Sequence, residues 1–287
     1  MSPKIATIDF HITSECSQEC PYCWGPMNFE HAVNTDTAKK IIAKVKAIGA
    51  QRIVFTGGDP LSRKDIGDLI QHADFVELEI AVSTTGDEIS DEFLKKWGLL
   101  IQLISVPIDG STEEINARTK EKGHFKSVLH SLELLRNYPK IDVKLCTPVT
   151  RHNFSDIPNI VRLAEEYSDN TEARVFYNIF QAFPRSMQKT NWRELLVTDQ
   201  EFRELKLKIG KEHQIVINFL DHNTLDQLYV MIFPDGSLVV PRGSEFYSYG
   251  SFLEIKNLDK VLEISQFDTA KHIQHSHKWK KLNNKIW

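Results

Sequence analysis

The sequence predicts an α/β protein: a parallel sheet covered by helices, finished by a C-terminal α+β extension. Two observations carry this. Short apolar, β-branched runs alternate with segments of helical period through roughly the first 180 residues. These runs are nearly continuous in apolar residues, as in strands buried on both faces. A length of 287 residues permits one such domain with a full core and a small extension.

Residues 5–12 form the first strand. Residues 36–48 carry Ala38, Ile41, Ile42, Val45 and Ile48 at the helical period, with Gly49 as the stop. Residues 52–56 are a β-branched strand running into Gly57-Gly58-Asp59-Pro60. A helix at 65–73, a strand at 78–83, a helix at 90–97 and a strand at 102–107 follow. A helix at 125–137, a strand at 142–146, a helix at 155–167 and a strand at 173–180 complete six βα-type units. After about Pro184 the rhythm changes. Residues 187–190 read as loop and 199–209 as helix; 215–220, 229–233 and 238–240 read as strands, with Pro234-Asp235-Gly236 as a turn. This divides the chain into a core at 1–184 and an extension at 185–287 that closes one end of the sheet and covers the substrate site. No internal repeat or low-complexity linker interrupts it.

Hydrophobic residues make up 41% and charged residues 26%, the balance of a soluble globular protein. A net charge of −4 provides no basic field, so bulk nucleic-acid binding is not expected. The N-terminus has no apolar signal region and no run is long enough to span a bilayer, so a cytosolic location without membrane attachment is expected. That compartment suits free thiols.

The most informative stretch is Cys16-Ser-Gln-Glu-Cys20-Pro-Tyr-Cys23, just after the first strand. Three thiols so close cannot pair off as disulfides, and they are one ligand short of a closed structural zinc site. Three soft ligands on one loop suit an iron–sulfur cluster with one iron left open for a substrate or cofactor. In a parallel sheet, sites gather at the carboxyl ends of strands. The cysteine loop, Gly57-Gly58-Asp59-Pro60, residues 83–86, residues 107–110 and the end of the fifth strand all belong to that rim. Glycines there admit close backbone approach, and Asp59 can accept a hydrogen bond from an ammonium.

The C-x3-C-x2-C spacing, with Tyr22 before the last cysteine, resembles the signature of the radical S-adenosylmethionine (radical SAM) superfamily. The resemblance implies an incomplete (βα)6 barrel with a C-terminal α+β extension. It implies that Cys16, Cys20 and Cys23 hold a [4Fe–4S] cluster whose fourth iron binds S-adenosylmethionine. One-electron cleavage then gives a 5′-deoxyadenosyl radical that abstracts hydrogen from a small-molecule substrate. An external electron donor such as flavodoxin or ferredoxin is implied. Gly57, Gly58 and Asp59 look like the family's Gly-Gly-Glu motif, with aspartate in place of glutamate, and would hold the methionine amino group. Arg118 would pair with the methionine carboxylate. Thr85, in Ser83-Thr84-Thr85-Gly86, and Ser105, ahead of Asp109, would line the nucleoside, and Val149 would pack on its adenine. Tyr22 completes the expected cofactor-binding set.

This likeness covers residues 5–184, and no second cysteine cluster follows. The later part resembles viperin-like members in layout. The features are Arg174-Val175-Phe176, a helix near Glu201-Phe202, the stretch 228–236, Gly250 before Glu254-Ile255, and a Lys/Trp tail with Trp279 and Trp287. It implies a nucleoside triphosphate substrate and a 3′-deoxy-3′,4′-didehydro product. The alternatives are the same chemistry on a peptide or sugar, or a non-catalytic metal-binding module. The remaining candidates have bland readings. Cys146 is expected as a small core hydrophobe. His272, His275 and His277 are expected on a solvated helix face, and Lys278, Lys280, Lys281 and Lys285 at the surface.

Overall fold

The computed structural model describes residues 4–26, 29, 31–184, 190–210 and 213–277. The tail lysines, Trp279, Trp287 and residues 187–189 lie outside them, as does the side chain of His277.

Strand β1 (Thr7–His11) leads through the cysteine loop to α1 (Thr35–Ala47), then β2 (Arg52–Thr56), α2 (Ile66–Phe75), β3 (Glu79–Ser83), α3 (Asp91–Trp97) and β4 (Leu103–Pro107). A one-turn α4 (Glu113–Asn116) precedes α5 (His124–Leu135), followed by β5 (Asp142–Val149), α6 (Ile157–Asp169) and β6 (Val175–Gln181). The extension contributes α7 (Trp192–Leu195), α8 (Asp199–Ile209), β7 (Val216–Leu220), α9 (His222–Leu225), β8 (Met231–Ile232), β9 (Ser237–Arg242), β10 (Glu245–Ser251), α10 (Leu258–Ile264) and α11 (Thr269–His277).

Several helices start at a side chain that caps them. Asn34 accepts from the Thr37 amide at the head of α1, and Ser90 from the Phe93 amide at α3. Thr198 and Glu201 make a reciprocal capping box on α8.

All strands belong to one sheet in the order β10-β9-β8-β1-β2-β3-β4-β5-β6-β7. Pairing is parallel from β1 through β7 and between β1 and β8; β9 and β10 are antiparallel additions. The extension therefore does not close one end of the sheet, as expected, but lengthens both of its edges. β7 joins β6 on one side and β8–β10 join β1 on the other. The fold is an α/β partial barrel. No helix among the described residues is long and apolar enough to cross a membrane.

The strands are less uniformly apolar than the sequence reading held. Ile8 and Phe10 of β1, Ile53 and Phe55 of β2, and Val143, Leu145 and Val149 of β5 are buried in the main core. The alternate positions, Thr7, Asp9 and His11, Thr56, and Lys144 and Cys146, line a cavity on the inner face of the sheet. The period-two alternation of a strand puts these two sets on opposite faces. Helices cover the outer face, and the inner face, which mixes these polar groups with apolar ones such as Val54, Ala81 and Leu103, surrounds a lumen.

Candidate active site

At the carboxyl ends of the strands, a cavity of about 260 Å³ is lined by Cys16, Cys20, Cys23, Tyr22, Gly58, Thr84, Thr85, Ser105 and Lys120, among others. Beneath it lies a lumen of about 290 Å³, reaching from the rim down to Thr7 and Arg52. Trp24, Thr56, Ser83, Ser105, Cys146 and Phe180 line both, so the two spaces adjoin.

Backbone hydrogen bonds hold the cysteine loop. The Ile12 amide donates to the Thr56 carbonyl, Gly58 to Thr13, and Asp59 to Glu15 at 2.6 Å. The strand pairing of β1 and β2 thus runs on past both strands. A side chain on Gly58 would place Cβ 2.0 Å from the Glu15 carbonyl oxygen, and one on Gly57 (φ +145°) 2.2 Å from that of Thr13. The two glycines are required by the cysteine loop as it lies across them.

The donor set fits a soft metal cluster. The amides of Gln18 and Gly25 point at the sulfurs of Cys16 and Cys23, at 3.4 and 3.3 Å. The Lys120 ammonium donates to the Cys20 sulfur at 3.1 Å. Each sulfur is therefore set up as an acceptor, the state of a thiolate ligand. Burial pushes the Cys16 thiol up to about 11 and raises Cys23 as well, so ionising them calls for a cation among the sulfurs.

Lys120 is the site residue the sequence reading missed. It is buried, and its ammonium lies 5.6 Å from the centre of the Tyr22 ring. Burial disfavours its charge, but the Cys20 sulfur and Asp109 outweigh burial and raise its pKa. Tyr22 donates to Asp109, as does the Thr119 hydroxyl at 2.7 Å. Behind them, the Asp109 amide donates to the Asn116 side chain, and Asn116 contacts His124 Nδ1 at 3.1 Å. His124 Nε2 reaches the Thr85 carbonyl at 3.1 Å. This chain fixes the β3 and β4 ends relative to the start of α5.

Asp59 is buried, and its carboxylate accepts from the hydroxyls of Thr84 (2.7 Å) and Thr85 and from the Leu61 amide (3.0 Å). It ties the second strand end to the third rather than standing open at the rim. Arg118 follows the end of one-turn α4, where it reaches back to Glu114 at 3.1 Å and to the His152 carbonyl, partly exposed and outside the rim cavity. Val149 is fully buried under the helices, on the opposite face of β5 from the cavity. Gly57 lines the lumen, and Ser105 contacts Cys146 at 3.3 Å.

Two of the bland readings are corrected. Cys146 is half-buried on the inner face of β5, where the rim cavity meets the lumen, because Val143, Leu145 and Val149 occupy the helix-facing positions. His272 is buried, not solvated: Nε2 accepts from the amides of Ala6 (3.0 Å) and Thr7 (3.2 Å), and Nδ1 donates to the Leu228 carbonyl at 2.7 Å. His275 lines the lumen.

Residues 10–164 match the family model described as "Radical SAM superfamily". The chain is 26% identical to an S-adenosylmethionine-dependent nucleotide dehydratase of Fibrobacter sp. (strain UWH6), over 94% of this chain and 88% of that one. A protein of the same description from Flammeovirga pacifica is 22% identical over 96% and 97%. An AdoMet-dependent heme synthase of Methanosarcina barkeri is 27% identical over 62% of this chain, a match spanning 50% of that protein. Among solved structures, Streptococcus suis SuiB bound to S-adenosylmethionine superposes with a TM-score of 0.72 at 11% identity, covering 98% of this chain and 69% of that one. anSMEcpe with bound AdoMet gives 0.65 at 13%, covering 93% and 82%. These last two likenesses are of fold.

Proposed function

Because this chain belongs to the radical SAM superfamily, we propose that Cys16, Cys20 and Cys23 hold a [4Fe–4S] cluster and that the protein is an S-adenosylmethionine-dependent nucleotide dehydratase. The observation that carries the reading is the rim cavity itself. Three sulfurs receiving N–H donors stand at the mouth of a lumen large enough for part of a small molecule. The near full-length match to proteins described as nucleotide dehydratases favours a nucleotide.

When bound, the cluster and S-adenosylmethionine supply one-electron cleavage to a hydrogen-abstracting 5′-deoxyadenosyl group, with the electron coming from an external donor of the flavodoxin or ferredoxin class. The protein's own residues bind, aim and shield. Lys120, the cation that lines the rim, takes the methionine carboxylate in place of Arg118. The backbone of Gly57 and Gly58 faces the amino group. Asp59 contributes by holding Thr84 and Thr85 in position, and Thr85 and Ser105 flank the nucleoside. Tyr22, locked on Asp109, fixes the last turn of the cysteine loop. α11 covers part of the lumen wall through His272, His275 and Ser276.

The test is anaerobic reconstitution with iron and sulfide, then dithionite, S-adenosylmethionine and each of the four nucleoside triphosphates. 5′-Deoxyadenosine should form faster with one of them, together with a nucleotide lighter by one water. Cys20→Ala should abolish both. A full cluster that yields no 5′-deoxyadenosine with any nucleotide would overturn the reading.

A further inference from the structure

The lumen wall carries polar groups that the protein itself does not satisfy. Asp9 and His11 occupy successive inward positions of β1. His11 is only 5% exposed, and neither ring nitrogen has a hydrogen-bond partner among the described residues. Its ring sits edge-on to Phe233 at 5.4 Å, which satisfies neither nitrogen. Burial pushes the imidazole down to about 3, leaving it neutral with one donor and one acceptor. Burial also pushes Asp9 up to about 6, against the pull of Lys144. Orphaned buried polar atoms weaken a fold. Two of them on one ring, at the wall of a cavity beside the cysteine rim, point to a ligand.

Charge and shape set its class. Apart from the histidines and Tyr229, the ionisable groups lining the lumen among the described residues are Asp9, Arg52, Lys144 and Cys146. Arg52 is held by Glu79 at 2.8 Å, and Lys144 stands against Asp9. The lumen therefore has little net positive charge, whereas a phosphate chain carries several negative charges. Trp24 and Phe180 give it flat aromatic walls, suited to a planar ring.

Resting on the nucleotide reading above, we propose that the lumen recognises the uncharged planar base of a nucleoside through His11 and Asp9, with any phosphate chain lying outside it. The base meets one imidazole nitrogen and gives an N–H group to the carboxylate, and a sugar hydroxyl meets the other imidazole nitrogen. Asp9 at this position selects against phosphate by like-charge repulsion.

The experiment reads binding without turnover. Reconstituted protein with S-adenosylmethionine and no reductant is titrated by calorimetry with the four nucleosides and their triphosphates. One nucleoside should bind within about threefold of its own triphosphate. His11→Phe should weaken both by about tenfold or more, while its melting temperature stays level or rises because an unsatisfied group has gone. His11→Leu is the second variant should the first fail to fold. Asp9→Asn should strengthen the triphosphate relative to the nucleoside. A triphosphate that binds far more tightly than its nucleoside, unaffected by either His11 variant, overturns the inference and leaves the nucleotide reading standing. His11-dependent nucleoside binding with no dehydrated product supports the inference and removes the dehydratase reading. Binding of neither class by the loaded protein overturns both.

Discussion

The ammonium of Lys120 lies 3.1 Å from the sulfur of Cys20, joining the loop between α4 and α5 to the cysteine loop across a hundred residues of chain. A buried cation against a sulfur draws electron density from it, which would raise the potential of a cluster bound there.

Lys120→Met should therefore lower the midpoint potential of the reconstituted cluster by about 60 mV, the one-electron equivalent of a tenfold change. Redox titration followed by electron paramagnetic resonance reads this directly. Lys120→Arg should restore most of the shift, since the charge returns. An unchanged potential in both variants would mean that Lys120 does not tune the cluster through the Cys20 sulfur.

Gly58→Ala tests how the cysteine loop is held. Its Cβ would fall 2.0 Å from the Glu15 carbonyl oxygen and 2.5 Å from the Glu15 carbonyl carbon, both backbone atoms that cannot rotate away. The Gly58–Thr13 and Asp59–Glu15 hydrogen bonds must then stretch, and the loop carrying Cys16 moves with them. A stability cost of about 1–3 kcal/mol is expected, with less iron bound per chain after reconstitution. Gly123→Ala serves as a control: no atom lies within 4 Å of its Cβ, so its strain is that of backbone conformation alone.

Most of the scaffold could be read in the sequence because helical period and β-branched runs report local geometry directly. The βα alternation, the strand ends and the rim position of the cysteine loop all follow from it. The inward face of β1 was legible in principle, since Thr7, Asp9 and His11 alternate with Ile8 and Phe10, but the run reads as apolar when taken whole. Lys120 and Arg118 are two residues apart in a lysine-rich loop. Which of them turns inward depends on α4 ending after one turn, and no local pattern reports that. Asp59 looked like a ligand-facing carboxylate because its partners, Thr84 and Thr85, come from another strand end. The burial of His272 likewise depends on β8 lying beside β1, a contact between chain segments more than 200 residues apart.

Asp59→Ala should destabilise the protein by about 3 kcal/mol, because it leaves the Thr84 and Thr85 hydroxyls and the Leu61 amide without their shared acceptor. Asp59→Asn keeps one acceptor oxygen and should cost about 1 kcal/mol. Urea unfolding midpoints measure both. S-adenosylmethionine affinity should follow stability across the pair. A tenfold loss of affinity in Asp59→Asn with the unfolding midpoint unchanged would instead mean that the carboxylate meets the cofactor itself.

His272 should make stability depend on pH. Its Nε2 accepts from the Ala6 and Thr7 amides, so only the neutral ring fits. Burial lowers its pKa in the folded protein, against the opposing effect of the Leu228 carbonyl. The unfolded chain, with a histidine of ordinary pKa near 6.5, therefore binds the proton first. The stability this residue contributes is fully present above about pH 6.5. It is lost as pH falls toward the folded value, at up to about 1.4 kcal/mol per pH unit. His272→Gln removes the titration while leaving a side-chain oxygen that can accept from the same amides. It should flatten the stability curve between about pH 5 and 7 relative to the parent protein. The difference between the two curves isolates this group from the carboxylates that titrate over the same interval, Asp9 included, whose raised pKa acts in the opposite sense. Parallel curves for the two proteins would mean that His272 accepts its proton without releasing α11 from β1.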